Sequence, residues 1–172
     1  MSSNRIGQPQ VYECLERLGI EYEYYEHTEA PTIEIAARFY RGEGTTLCKN
    51  LFFRNHKGNR HYLVIMESHF AMDIHSVERM LHQGKLSFAS PERMMRYLGV
   101  TPGSVSLFNL VNDVNREVTL FVDSKLLSVE KVSFHPNDNR ASLVISSADM
   151  LKFIREMGIN YEVLDLYGQN VD

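Results

Sequence analysis

Hydrophobic and polar residues recur along this chain with two different periods, and each period predicts a type of element. Val11, Leu15 and Leu18 have helical spacing and Gly19 is a suitable stop, which predicts a first helix. The following segment, IEYEYYEH (20–27), alternates like a half-buried strand. The chain is therefore expected to begin with a helix and a strand.

Two apolar runs separated by a short polar turn predict a β-hairpin. The runs are KNLFFRN (49–55) and RHYLVIM (60–66), and Lys57-Gly58 lies in the turn between them. Both runs are rich in the large apolar residues that strands favour.

The first strand of this hairpin carries two polar residues beside large apolar ones. Side chains alternate along a strand, so Lys49 shares one face with Leu51 and Phe53, and Asn50 shares the other with Phe52. Both faces are therefore expected to be buried. A lysine on an apolar face is costly unless it reaches water or a negatively charged ligand.

The rest of the pattern completes a mixed α/β order. Helices are expected at TIEIAARFY (32–40), HSVERMLH (75–82) after an Asp73 cap, ERMMRYL (92–98) after Ser90-Pro91, and MLKFIREM (150–157) after a capping pair of Ser146 and Asp149. Strands are expected at EVTLFVD (117–123), KVSFHP (131–136) and ASLVIS (141–146), the last as a final central strand. Hairpins among the strands predict an α/β mixed (α+β) fold. We expect one compact domain over residues 1–172, with a mixed β-sheet and packed helices.

Composition narrows the class of protein. The 172 residues are 44% hydrophobic, which suits one well-filled core. Cys14 and Cys48 are far apart, so neither a disulfide framework nor a zinc ribbon is expected. The N-terminus MSSNRIGQPQ has no apolar signal segment, and no run is long enough to span a bilayer. We therefore expect a cytoplasmic protein without membrane association, metal or cofactor.

Charge is unevenly distributed along the chain. The formal net charge of −4 argues against a general polyanion binder. Residues 44–66, however, contain no Asp or Glu but carry Lys49, Arg54, Lys57 and Arg60. The stretch is either a solvated hairpin tip or a small positive patch for phosphates, and composition alone leaves both interpretations open.

Two further segments are candidates for chemistry, although nucleotide-binding, zincin and hydrolase-elbow motifs are absent from the sequence. His135 lies at the end of an apolar strand in SFHPNDNR, where a structural histidine is the commoner explanation. In LGVTPGSVSLFNLVND (98–113), Pro102-Gly103 requires a turn, and the small Ser104 and Ser106 would leave backbone N–H groups accessible. Such amides can bind a carbonyl oxygen or an anion.

Four segments in the same order resemble the YbaK and prolyl-tRNA-editing deacylase family, above all its freestanding prolyl-tRNA deacylases. They are KNLFFRNHKGNRHYLVIM, KLSFASPERMMRYLGVTPGSVS, LVND and FHPNDN…LVISSADMLKFI, within His27 to Gly158. The resemblance implies a mixed α/β editing domain that hydrolyses mischarged tRNA(Pro), chiefly alanyl-tRNA(Pro), after the synthetase has released it. It also implies a tRNA(Pro) acceptor end as partner, a transient association with prolyl-tRNA synthetase, and a monomer.

The resemblance assigns roles residue by residue. The lysine of the family's K-N pair maps onto Lys49, the strand-end histidine onto His135 and the glycine of the substrate loop onto Gly103. Lys49 would bind the phosphate or ribose of the acceptor end, or offset the charge that develops on the carbonyl. His135 would shape the pocket, and the second option is that it acts as a base. A free ribose hydroxyl would assist, so no protein nucleophile is needed. The expected substrate-binding residues are Asn50, Leu51, Phe53, Ser104, Val105 and Ser106, and the expected tRNA-binding residues are Arg54, Lys57 and Arg60.

The substrate loop departs from the family pattern at two positions. Leu107 stands where the family commonly has proline, and Asn109 replaces a glycine. Because asparagine tolerates a left-handed backbone, we expect the loop to keep its fold. The altered loop leaves two alternatives open: a cysteinyl-tRNA(Pro) deacylase, and a module that senses aminoacyl-tRNA or an amino acid without turnover.

Overall fold

The structure is a computed structural model that describes residues 5–29, 44–71 and 73–166. In these ranges the chain has the mixed order of helices and strands that the sequence pattern predicts. The helices are α1 (Pro9–Arg17), α2 (Ile74–Leu81), α3 (Pro91–Leu98) and α4 (Ser147–Glu156), with 3-10 helices at Leu107–Asn112 and Ser124–Leu127. The strands are β1 (Glu23–Glu26), β2 (Thr45–Asn55), β3 (His61–Glu67), β4 (Leu86–Phe88), β5 (Val118–Asp123), β6 (Lys131–Phe134), β7 (Ala141–Ser146) and β8 (Tyr161–Leu164).

All eight strands belong to one sheet in the order β1-β7-β6-β2-β3-β5-β8, with β4 paired to β2. The pairs β2·β6, β3·β5 and β5·β8 are parallel, and the other pairs are antiparallel. The mixed-sheet prediction is confirmed.

One edge of β2 is shared by two strands. β6 pairs with Thr45–Leu47, and β4 pairs with Phe53–Asn55, while β3 lies along the opposite edge. Among the described strands, none pairs with the middle of that shared edge. The sheet therefore opens at Lys49–Leu51, where the sequence places its polar pair.

Apolar side chains cover both faces of the sheet. Helices α1, α3 and α4 pack on one face around Phe52, Leu63 and Ile65, and this set is called the large core. Helix α2 packs on the other face around Phe53 and Val64, and this set is called the small core. The prediction that both faces of β2 are buried is confirmed.

Local signals account for the starts of three helices and for the hairpin turn. Asp73 accepts a hydrogen bond from Ser76 N at 2.9 Å, and Ser90 accepts one from Arg93 N at 3.2 Å, so both predicted caps are confirmed. Ser146 accepts one from Asp149 N at 3.0 Å. The hairpin turn closes with a hydrogen bond from Asn55 N to Arg60 O at 3.0 Å.

Some sequence predictions were wrong in extent. β1 covers only Glu23–Glu26, and β2 begins at Thr45, before Lys49. The strand at 141–146 is neither last nor central: it lies next to the edge strand β1, and β8 follows it in the chain. β4 and β8 were missed because they are only three and four residues long, too short for a period to show.

The helix predicted at 32–40 lies outside the described residues. Within the residues that are described, no helix is long and apolar enough to cross a bilayer.

Candidate functional site

Lys49 and Asn50 lie at the opening of the sheet and point to opposite faces. Lys49 is opposite Met66 of the small core, and Asn50 is opposite Ile65 of the large core. Both polar residues are only half-buried in β2, in contrast to Phe52 and its neighbours further along the strand.

The Lys49 ammonium donates a hydrogen bond to the carbonyl oxygen of Phe70 at 2.8 Å. Within the described part of the chain, no ion pair joins it to a carboxylate. An ammonium has three donors, so a half-buried Lys49 retains hydrogen-bonding capacity and an uncompensated positive charge. This arrangement suits an anionic or carbonyl oxygen.

The Asn50 side chain contains a buried acceptor that the described residues leave unsatisfied. Its Oδ1 is buried and has no hydrogen-bond partner among the described residues, with which its Nδ2 makes only a long contact, 3.5 Å to Cys48 O. Leaving a buried amide oxygen without a donor is unfavourable by about 1–3 kcal/mol. A ligand with an N–H or O–H group would remove this penalty.

His135 follows β6, the strand that runs parallel to the start of β2. The register pairs Leu47 with Ser133, so His135 lies just past the last paired residues, near the same end of the pairing as Lys49. Its Nδ1 donates to Ala141 O at 2.7 Å, which in the neutral ring leaves the proton off Nε2.

His27 is a neighbour of His135 that the site prediction missed. The two rings meet edge to face, with centroids 6.0 Å apart. His27 is held by Thr28 O at 2.9 Å from Nδ1 and by Ser142 Oγ at 2.8 Å from Nε2. The only sequence signal was its position at the end of a predicted strand.

The loop around Gly103 is attached to the turn that follows β6. Gly103 has φ +93°, a conformation that favours glycine. Ser104 Oγ accepts a hydrogen bond from Asn139 N at 3.1 Å, and Ser106 Oγ donates one to His135 O at 2.8 Å. The structure thus joins the Gly103 loop to the backbone of His135.

The amides of Ser104 and Ser106 are themselves bonded within the loop, and access of a substrate to other backbone N–H groups of the loop stays a prediction. Ser104 N donates to Thr101 O at 3.2 Å, and Ser106 N donates to Asn109 Oδ1 at 2.8 Å. Both serines are buried, so they hold the loop in shape. The half-buried Val105 lies between them and packs against the large core.

The expected role of Asn109 is also corrected. The non-glycine residues with positive φ are His82, Arg116 and Asn137 among those described, and Asn109 is not one of them. It lies in the 3-10 helix Leu107–Asn112, where it forms a capping box with Ser106. The substitution of glycine therefore supplies hydrogen bonds and needs no left-handed backbone.

The apolar residues expected beside Lys49 differ in exposure. Leu51 is half-buried, but Phe53 is fully buried and its ring lies 4.7 Å from that of Phe88. The Phe53 side chain is an internal part of the small core, and its role as a wall of the substrate pocket stays a prediction.

The basic hairpin tip is distant from Lys49. Asn55 is six residues further along β2, which corresponds to roughly 20 Å in an extended strand. Arg54 is half-buried and donates to the carbonyl oxygens of Asn55 and His56, both at 3.3 Å, whereas Lys57 and Arg60 are exposed.

Comparisons with known proteins decide the family. The model of the aminoacyl-tRNA editing domain matches residues 27–153. The chain belongs to the aminoacyl-tRNA editing domain family. This membership confirms the resemblance drawn from the motifs, and with it the class of enzyme that the resemblance implies, an aminoacyl-tRNA deacylase.

Several relatives and solved structures are similar over most of the chain. The prolyl-tRNA editing protein ProX of Acetoanaerobium sticklandii is 36% identical over 152 residues, which is 88% of this chain and 93% of that protein. The prolyl-tRNA synthetase associated domain-containing protein 1 of Danio rerio is 30% identical over 149 residues, covering 86% and 80% of the two chains. A crystal structure of a candidate trans-editing enzyme for prolyl-tRNA synthetase superposes with a TM-score of 0.65 at 22% identity, covering 91% and 97%. This last likeness shows that the editing-domain fold is shared.

Proposed function

We propose that this member of the editing-domain family is a trans-editing hydrolase that deacylates mischarged tRNA(Pro), with alanyl-tRNA(Pro) as its substrate. The observation that carries the proposal is the polar pair Lys49 and Asn50 at an opening of the sheet, with an ammonium in no ion pair and an unsatisfied amide oxygen among the described residues. The names of the relatives point to the same tRNA and to prolyl-tRNA synthetase.

An aminoacyl ester requires little chemical activation from the protein. The site must hold the ester beside a water molecule, stabilise the charge that develops on the carbonyl oxygen and exclude the wrong side chain. Lys49 has the charge and the free donors for the oxyanion or for the phosphate of the terminal nucleotide. In this scheme the ribose hydroxyl next to the ester assists the attacking water.

Asn50 is the second group in the scheme. Its unsatisfied Oδ1 accepts a hydrogen bond from the α-ammonium group of the amino acid or from a ribose hydroxyl. An acceptor of this kind distinguishes an aminoacyl ester from a simple ester, because leaving a buried polar group unpaired is unfavourable.

His135 and the Gly103 loop complete the pocket in this proposal. The hydrogen bond from Nδ1 to Ala141 O orients the ring, and Ser106 Oγ ties the loop to the carbonyl oxygen of His135. The backbone N–H groups of Gly103 and Val105 make no hydrogen bond to described residues, so they are the loop donors proposed for the substrate. His135 acts chiefly by shaping the pocket.

The proposed partner is the acceptor end of tRNA(Pro), met after release from prolyl-tRNA synthetase in a transient association. The chain is proposed to act as a cytoplasmic monomer with a single domain over residues 1–172. Arg54, Lys57 and Arg60 are proposed to contact tRNA beyond the ester, since the hairpin tip lies roughly 20 Å along β2 from Lys49.

The test is a deacylation assay that offers alanyl-, cysteinyl- and prolyl-tRNA(Pro) side by side. We expect fast release of alanine and slow release of proline. Preferential release of cysteine would replace the alanyl assignment with the cysteinyl one. Binding of all three without release of any amino acid would refute the proposed hydrolase activity and would support a sensing module instead.

A further inference from the structure

Two arginines adjoin His61 at the end of the hairpin, and a third lies one turn further along α3. Arg54 is the direct neighbour of His61 across the β2·β3 pair. Arg93, from α3, donates from Nη1 to His61 Nε2 at 2.9 Å and also to Gly58 O at 2.9 Å. Arg96 lies one helical turn further along α3, with its guanidinium carbon 5.2 Å from the centre of the Tyr97 ring. Arg54, Arg93 and Arg96 are called the arginine cluster.

The arginine cluster has no acidic counterpart among the described residues. No ion pair involves any of its members, and Glu92, the one acidic residue of α3, makes none with Arg93 or Arg96. The hairpin itself carries no Asp or Glu between positions 44 and 66. Cations brought together without a carboxylate repel one another unless an anion binds between them.

His61 is built into the cluster as a neutral group. Its ring lies 5.6 Å from that of Phe52 and 3.9 Å from that of Tyr97, and the residue is buried. Burial, with a smaller contribution from the charges of Arg93, Arg96 and Arg54, lowers the pKa of His61 to about 4. The neutral ring therefore accepts the Arg93 hydrogen bond at physiological pH and orients that guanidinium.

We propose that the arginine cluster is a phosphate-binding surface for the tRNA backbone beyond the acceptor end. Arginine suits this role because its planar guanidinium can hold phosphate oxygens by two hydrogen bonds. The proposal rests on the proposed function for its partner, and it extends the tRNA contact from the hairpin tip to α3.

Helix α3 connects this surface to the substrate loop. Its first turn carries Arg93, and it ends at Leu98, shortly before Gly103. Eight helical residues span about 12 Å. Arg54 and Asn50 also point to the same face of β2, the face on which α3 packs. A nucleic acid bound to the arginine cluster would therefore lie on the same side of the sheet as Asn50 and the Gly103 loop.

The experiment measures binding of full-length, unacylated tRNA(Pro) to the intact chain across a salt series. We compare wild type with Arg93→Gln/Arg96→Gln. Each phosphate contact contributes about −0.7 to −0.9 to the slope of log affinity against log salt. The double variant should therefore show a slope that is shallower by about 1.5 and an affinity at low salt that is reduced about tenfold or more.

The matched control is Arg79→Gln/Arg155→Gln, which removes the same charge from α2 and α4. Its slope should equal that of wild type. If Arg93→Gln/Arg96→Gln fails to fold, the single variant Arg96→Gln serves as the test, because the Arg96 side chain is exposed. Its salt slope should then be shallower than that of wild type by about 0.8. A wild-type slope in the cluster variant, or an equal change in the control, overturns the proposal.

A second readout separates this proposal from the proposed function. Hydrolysis of a minimal alanyl ester of adenosine should be the same in wild type and in the cluster variant, since such an ester lacks the tRNA backbone that the cluster is proposed to bind. Failure of the wild-type chain to hydrolyse either this ester or alanyl-tRNA(Pro) would refute the proposed hydrolase activity. A cluster-dependent salt slope would still support the phosphate-binding surface in that case.

Discussion

The side-chain amide of Asn109 donates a buried hydrogen bond of 2.6 Å to Oδ1 of Asn137. Asn109 Oδ1 accepts from Ser106 N at 2.8 Å, and Asn137 Nδ2 donates to Gln8 Oε1 at 2.8 Å. This relay of amides joins three segments that are distant in sequence: the N-terminal segment, the Gly103 loop and the turn after His135. The relay holds the two sides of the candidate site together.

Replacing Asn109 should lower the stability of the fold. Asn109→Ala leaves Ser106 N and Asn137 Oδ1 without their partner in a buried position, which destabilises the fold by about 1–3 kcal/mol for each unsatisfied group. Urea unfolding measures this change. The exposed Asn115→Ala is the control and should stay within about 0.5 kcal/mol of wild type. Equal stability of the two variants would show that the relay contributes nothing.

Lys49→Ala should leave the fold intact and slow deacylation of alanyl-tRNA(Pro) by roughly 10²–10³-fold if the ammonium stabilises the oxyanion. The same loss should appear with a minimal alanyl ester, because the effect is at the reacting carbonyl. Single-turnover rates measure it. Lys152→Ala removes an exposed lysine of α4 and should react at the wild-type rate. Wild-type turnover of a folded Lys49→Ala protein would refute the assignment.

The two apolar neighbours of Lys49 should respond differently to truncation. Leu51 is half-buried, so Leu51→Ala should enlarge the pocket and reduce the preference for alanine over proline, a preference worth only about 1–3 kcal/mol. Phe53 is an internal core residue, so Phe53→Ala should destabilise the fold by about 3–5 kcal/mol. Ratios of kcat/KM for the alanyl and prolyl substrates, with urea unfolding of both variants, separate these effects. Unchanged selectivity in Leu51→Ala would remove Leu51 from the pocket.

His61 should make folding stability depend on pH between its usual pKa of 6.5 and its folded pKa of about 4. In this range the unfolded chain binds a proton that the folded chain excludes. Stability therefore falls as the pH drops from 6.5 to 4, by about 3 kcal/mol at most, and does not change further from this group at lower pH.

The variant His61→Phe keeps a ring between Phe52 and Tyr97 but cannot titrate. Its unfolding free energy, measured across the same pH range, should not show the decrease that His61 causes. The variant His56→Phe, at the exposed turn, should still show that decrease. Parallel pH profiles for wild type and His61→Phe would contradict the prediction.

The sequence by itself determined the features that depend on near neighbours. The caps at Asp73 and Ser90 bond to backbone N–H groups three residues away, and the hairpin turn closes over five residues. The alternation along β2 correctly assigned Lys49 and Asn50 to opposite, covered faces. Contacts of this range are encoded within a few consecutive residues, so a pattern is enough to predict them.

Only the tertiary structure decided how the separate segments meet. That β6 and β4 share one edge of β2 and open the sheet beside Lys49 depends on strand pairings over tens of residues. The burial of Phe53, the bond between Asn109 and Asn137, and the approach of Arg93 to His61 are of the same kind. A residue's own periodicity specifies which face it occupies, but not which distant segment packs against that face, because partner choice is settled by the packing of the whole core.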